Sequence, residues 1–114
     1  MKLAQSPTSL QWLQDWYRLQ CNETWEHEHG ISISTLDNPG WSVVIDLVGT
    51  DLAGSAMSPY TSDPSDTDWV FCKLEAGKFT AHGDPSKLDW IIDHFRTWAQ
   101  TQVSGCSNRG RSEV

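Results

Sequence analysis

Glu26-His27-Glu28-His29 is the densest cluster of chemistry-bearing side chains in this 114-residue chain. In an extended backbone His27 and His29 share one face and Glu26 and Glu28 the other. Two histidines on one face can hold a metal ion, with His82 or Asp37 as a third ligand. The spacing matches no recurrent zinc pattern and no cysteine pair stands nearby, so a solvated or locally hydrogen-bonded junction is the expected reading, with no metal and no cofactor. The cysteines are Cys21, Cys72 and Cys106. A reactive thiol needs a setting that lowers its pKa, such as an anion-binding loop opening onto a helix. Cys72 instead falls mid-strand in Val70-Phe71-Cys72-Lys73-Leu74. Cys21 falls at a helix C-terminal end, where the dipole raises a thiol pKa. There is no G-x-S-x-G turn for a serine nucleophile and no Gly-rich phosphate loop. No catalytic residue is therefore assigned. A small metal- or Cys-dependent enzyme of sulfurtransferase type, and a generic interaction module, stand as alternative readings of the chain.

Charge is the more informative chemistry. From Cys21 to Asp68 the chain runs 48 residues without a Lys or Arg. The same stretch holds nine carboxylates: Glu23, Glu26, Glu28, Asp37, Asp46, Asp51, Asp63, Asp66 and Asp68. The whole chain carries a formal charge of -7. Such a segment projects a negative field, which repels nucleic acid and acidic membranes and attracts a basic partner. Asp46 has a second reading as a partly buried hydrogen-bonding residue, although a solvated one is favoured. Asp37 can also bond the backbone of the turn after it.

These residues must be positioned by local elements that the pattern predicts. Ser6-Pro7 opens a helix over 7–22, with Thr8 and Gln11 as an alternative capping box. Its apolar face is built from Leu10, Leu13 and Tyr17 beside Trp12, Trp16 and Leu19. Residues 31–36 alternate, Asp37-Asn38-Pro39-Gly40 supplies type II turn chemistry with Gly40 at φ > 0, and 41–48 alternate again: a hairpin. Trp41 starts the inward face of Val43, Ile45 and Leu47 and is expected in the core. Residues 49–67 read as a long polar connection, either a binding loop or a disordered insertion. Strands at 69–74 and 79–82 flank a turn at Glu75-Ala76-Gly77-Lys78. Asp84-Pro85 repeats the cap-plus-Pro signature. Leu88, Ile91, Ile92, Phe95, Trp98, Ala99 and Val103 then mark a helix that Gly105 stops. The expected fold is α+β, ordered α-β-β-β-β-α, with an antiparallel sheet of about four strands in two hairpins and two helices on one face. The chain suits one domain over 1–103 with a disordered tail over 104–114.

No apolar run approaches bilayer-spanning length, and the N-terminus has no apolar core of a secretory leader. An odd cysteine count with irregular spacing does not read as a disulfide framework, so a reduced cytoplasmic protein is expected.

Trp12-Leu13-Gln14-Asp15-Trp16-Tyr17, Cys21, Trp25-Glu26-His27, Gly30-Ile31, Thr35-Leu36-Asp37-Asn38-Pro39-Gly40-Trp41 and Asp46-Leu47 together resemble the immunity protein 53 family. The resemblance covers residues 8–50 and continues, with less diagnostic residues, from Asp68-Trp69 through the final helix. Asn22-Glu23-Thr24 departs from the acidic pair that members tend to carry there. The resemblance implies a bacterial, cytoplasmic, non-enzymatic protein that binds and neutralises a cognate polymorphic-toxin domain. The acidic run fits this independently, because an inhibitor of a nuclease gains from polyanion-like charge. The expected partner face draws on Glu23, Glu26, Glu28, Asp37, Asp51, Asp63, Asp66 and Asp68, an acidic surface with Trp among it. The toxin is expected to be basic, and the oligomeric state is open.

Overall fold

The structure, a computed structural model, describes residues 8–107, with side chains through 102. Helix α1 spans Ser9–Gln20. Thr8 caps it: its Oγ1 accepts from the Gln11 N–H at 3.0 Å, and Gln11 Oε1 accepts from the Thr8 N–H at 3.3 Å. This reciprocal bonding satisfies two orphan donors. The Ser6-Pro7 start lies outside the described residues. Only Leu13 and Trp16 of the apolar face are buried among the large side chains, while Leu10, Tyr17 and Leu19 are exposed.

A one-turn helix α2, Trp25–Glu28, comes next, in place of the extended backbone that a shared His27/His29 face requires. Asn22 Oδ1 accepts from the N–H groups of Thr24 and Trp25, and the Glu26 carboxylate accepts from Asn22 and Glu23. This mutual capping curls the chain into a helical turn. His27 and His29 consequently do not share a strand face.

The strands are β1 Ile31–Leu36, β2 Gly40–Asp46, β3 Tyr60–Ser65, β4 Asp68–Glu75 and β5 Lys78–Gly83. They form one antiparallel sheet in the order β1-β2-β5-β4-β3. Both expected hairpins are present. In the second, Ala76 and Gly77 both have positive φ, as a two-residue hairpin loop of the I′ kind needs. In the first, Gly40 already belongs to β2 and its φ is not positive. Glycine is required there for another reason: a Cβ would collide with the Gly83 carbonyl oxygen on β5.

The fifth strand, β3, comes from the stretch read as a polar connection. Pro64 and Asp63 hide it from propensity, and an edge strand tolerates both. The rest of that connection is anchored as well. Leu52 is buried, and the Trp98 indole N–H donates to the Ala56 carbonyl at 3.0 Å.

Helix α3, Leu88–Ser107, packs with α1 over the sheet. It runs past Gly105, whose cost in a helix is about 1 kcal/mol and not enough to end one. Residues 108–114 of the expected tail lie outside the described residues. The core joins Val43, Ile45, Val70, Cys72, Phe79 and Ala81 of the sheet to Leu13, Trp16, Trp25, Ile91, Ile92, Phe95 and Ala99. Phe95 sits at its centre, 5.0 Å from Phe79 and 5.4 Å from Trp16 between ring centroids.

Candidate functional site

The sheet distributes the acidic run over both of its ends. The β1–β2 turn, the β3–β4 turn and the β5–α3 connection share one end, since Trp41 and Val70 both pair with Gly83. Asp37, Asp66 and Asp68 lie there, with Asp63 close by in β3. Glu23, Glu26 and Glu28 precede β1 and so lie at the other end, where Asp46 closes β2. The seven residues of β2 separate the ends by roughly 20 Å. Asp51 stands apart, beside a groove of about 580 Å³ lined by Trp12, Trp16, Leu19 and Ala99.

Three of the nine carboxylates are engaged internally. Asp46 is buried, correcting the solvated reading. His29 Nδ1–H donates to it at 2.6 Å and the Val48 N–H at 3.0 Å. Burial alone would raise its pKa, but these bonds prevail and hold it below the usual carboxylate range. Glu26 caps the turn before α2, and backbone N–H groups, its own first and then those of Asn22 and Glu23, hold it low. Asp68 accepts from Lys87 Nζ at 2.8 Å, and the same ammonium donates to Asp84 at 2.8 Å.

Asp84 is buried and binds four donors: Lys87 Nζ, the Trp69 N–H, and the N–H and O–H of Ser86. It therefore ties β4 to the start of α3. Burial pushes its pKa up, and the four donors outweigh that and hold it well below the usual range. A carboxylate held low in the folded state stabilises the fold above its unfolded pKa. That stabilisation is lost as pH falls through the folded value. The urea midpoint is thus expected to fall as pH drops below about 4, and Asp84→Asn to be less stable at neutral pH, its midpoint drawing steadily closer to the parent's as the pH is lowered from there. Parallel curves down to the lowest pH would contradict the assignment.

Glu23, Glu28, Asp37, Asp51, Asp63 and Asp66 are exposed and have no ion pair or side-chain hydrogen bond among the described residues. These six are the groups the structure leaves open to a partner. Asn38 and Pro39 are exposed beside Asp37, and His27 beside Glu28.

The motif tryptophans have a different placement. Trp16 and Trp25 are buried, and Trp12 packs against the core. Trp41 is half-buried at the sheet end rather than in the core, its indole N–H donating to the Pro85 carbonyl at 3.0 Å. The exposed aromatic surface is elsewhere. Trp90 stacks on His94 with centroids 4.8 Å apart, and Tyr60 leans on both. Their distance in sequence, and the missed β3, concealed that grouping.

Cys72 is buried among apolar neighbours, which pushes its thiol up to about 12. Its thiolate is scarce at neutral pH, so it is a core side chain and not a nucleophile. Among the described residues no group of three or more His, Cys, Asp or Glu is placed to hold a metal ion. Among them, too, no helix is long and apolar enough to cross a membrane.

A family model described as immunity protein 53 matches residues 10–100. No curated protein and no solved structure matches the chain.

Proposed function

The chain belongs to the immunity protein 53 family, and from that membership we propose that it binds a cognate bacterial toxin domain in the cytoplasm and blocks it by occupation rather than by catalysis. The observation that supports this reading is the set of six exposed carboxylates, unopposed by any Lys or Arg from Cys21 to Asp68. An electrostatic field of one sign speeds encounter with an oppositely charged partner and disfavours wrong ones. The partner that fits is a basic domain, as a nuclease that grips a polyanion would be. The motif tryptophans Trp12, Trp16 and Trp25 contribute by holding the scaffold rather than by touching the toxin.

Co-expression with the toxin domain encoded beside its gene tests the reading. The expected result is rescue of growth and co-purification of a stable complex. Unrelieved toxicity, with no complex formed from the two soluble proteins, would overturn it.

A further inference from the structure

The two edges of the sheet are built differently. The β3 edge carries Asp63 and Pro64, and its register breaks between Ser62 and Ser65. Charge, proline and bulges are the devices that stop an edge from recruiting another strand. The β1 edge, Ile31-Ser32-Ile33-Ser34-Thr35-Leu36, has none of them and keeps an unbroken register along β2. The Asp46 N–H donates to the Gly30 carbonyl at 3.0 Å. In an antiparallel ladder bonded and non-bonded pairs alternate. Gly30, Ser32, Ser34 and Leu36 therefore bond β2, and the N–H and C=O groups of Ile31, Ile33 and Thr35 point off the sheet.

Beside that edge the helix layer is incomplete. Ile31 and Ile33 pair with Ile45 and Val43, so their side chains share the core face. α1 covers it only in part, leaving a groove of about 400 Å³ lined by Leu10, Leu13, Tyr17, His29 and Ile31. Leu10 is 54% exposed, Tyr17 38% and Ile33 38%. An added strand would find main-chain partners and, on the same side, an apolar seat for its alternate side chains.

Charge selects the occupant. Glu28 and Asp37 bracket β1, one just before it and one just after, both exposed and without an internal partner among the described residues. A second copy is a poor fit. Antiparallel pairing of two β1 strands brings Asp37 of one copy near Glu28 of the other at both ends, and parallel pairing sets like against like. We propose that the β1 edge is where the partner docks, by adding an extended segment of about six residues, apolar at alternate positions and flanked by Lys or Arg. This rests on the toxin-binding reading and names its contact.

Two measurements with the toxin domain encoded beside the gene test it. Hydrogen exchange of the unmutated protein should show the Ile31, Ile33 and Thr35 amides exchanging freely alone and slowed at least about tenfold in the complex. Ile33→Pro deletes an outward N–H and no bond to β2, so it should stay folded and weaken binding about 10- to 100-fold. A complex that forms with those three amides unprotected would overturn the docking edge and leave the toxin-binding reading standing. So would an Ile33→Pro protein that binds as tightly as its parent. Absence of any complex with the unmutated protein would overturn both.

Discussion

Trp25→Ala is expected to destabilise the protein by about 3–5 kcal/mol, the usual cost of removing a buried tryptophan. The side chain is 4% exposed and lies edge-on to Trp16 and Tyr17, with centroids 6.3 and 5.9 Å away. Its indole N–H donates to the Val48 carbonyl at 2.8 Å, fastening α2 to the exit of β2. Gly49 takes a φ of +80° against the same ring, where a Cβ would stand 3.3 Å from Cδ1. Truncation thus opens a cavity where three segments meet and strands a carbonyl. Total stabilities of small domains are about 5–15 kcal/mol, so the variant is expected to be partly unfolded or nearly so. Trp25→Phe keeps most of the burial and loses the indole bond, a further test with a smaller loss of about 1 kcal/mol. Trp41→Ala, at a half-buried site, is expected to cost less than Trp25→Ala. Urea unfolding of the three variants measures this. A Trp25→Ala protein within about 1 kcal/mol of its parent would contradict the placement.

Removing the open carboxylates is expected to slow toxin association about 10- to 100-fold and to flatten its dependence on salt. The roughly 20 Å between the sheet ends lets the effect be divided. One variant combines Glu23→Gln with Glu28→Gln. The other combines Asp37→Asn, Asp63→Asn and Asp66→Asn. Stopped-flow association at several salt concentrations reads both. Glu28 and Asp37 flank the proposed β1 docking edge at its two ends, so both variants should slow association, and dissociation should change less than association. None of these side chains has an ion pair or side-chain hydrogen bond among the described residues, so folding stability should stay within about 0.5 kcal/mol. Unchanged association in both variants would show that the charge serves solubility instead.

These expectations draw on features legible to different degrees in the chain. The Thr8–Gln11 capping box, the Ala76-Gly77 turn, the alternation of β1 and β2 and the 3.6-residue period of α3 are each encoded within a few consecutive residues. All of them are realised as read. The family, too, was legible, because its motif is a set of short strings of residue types at set spacings. α2 was not, because it rests on the reciprocal bonds of Asn22 and Glu26, and the alternation of Glu and His carries no helical period.

β3 was not legible either. Asp63 and Pro64 argue against a strand unless it lies at an edge, and edge position is a property of the sheet. Asp46 is alike in this respect: burial of its charge rests on the approach of His29, added to the bond from the nearby Val48 N–H. The acidic run by itself carried the expectation of a basic partner. Only the pairing of β1, β2, β5 and β4 decided that the carboxylates part toward two ends, that three of them are engaged within the fold, and that β1 is left as an open edge. Local order is set by contacts along the chain. Which charges stay exposed, and where, is set by contacts between residues far apart in sequence, which no local pattern encodes.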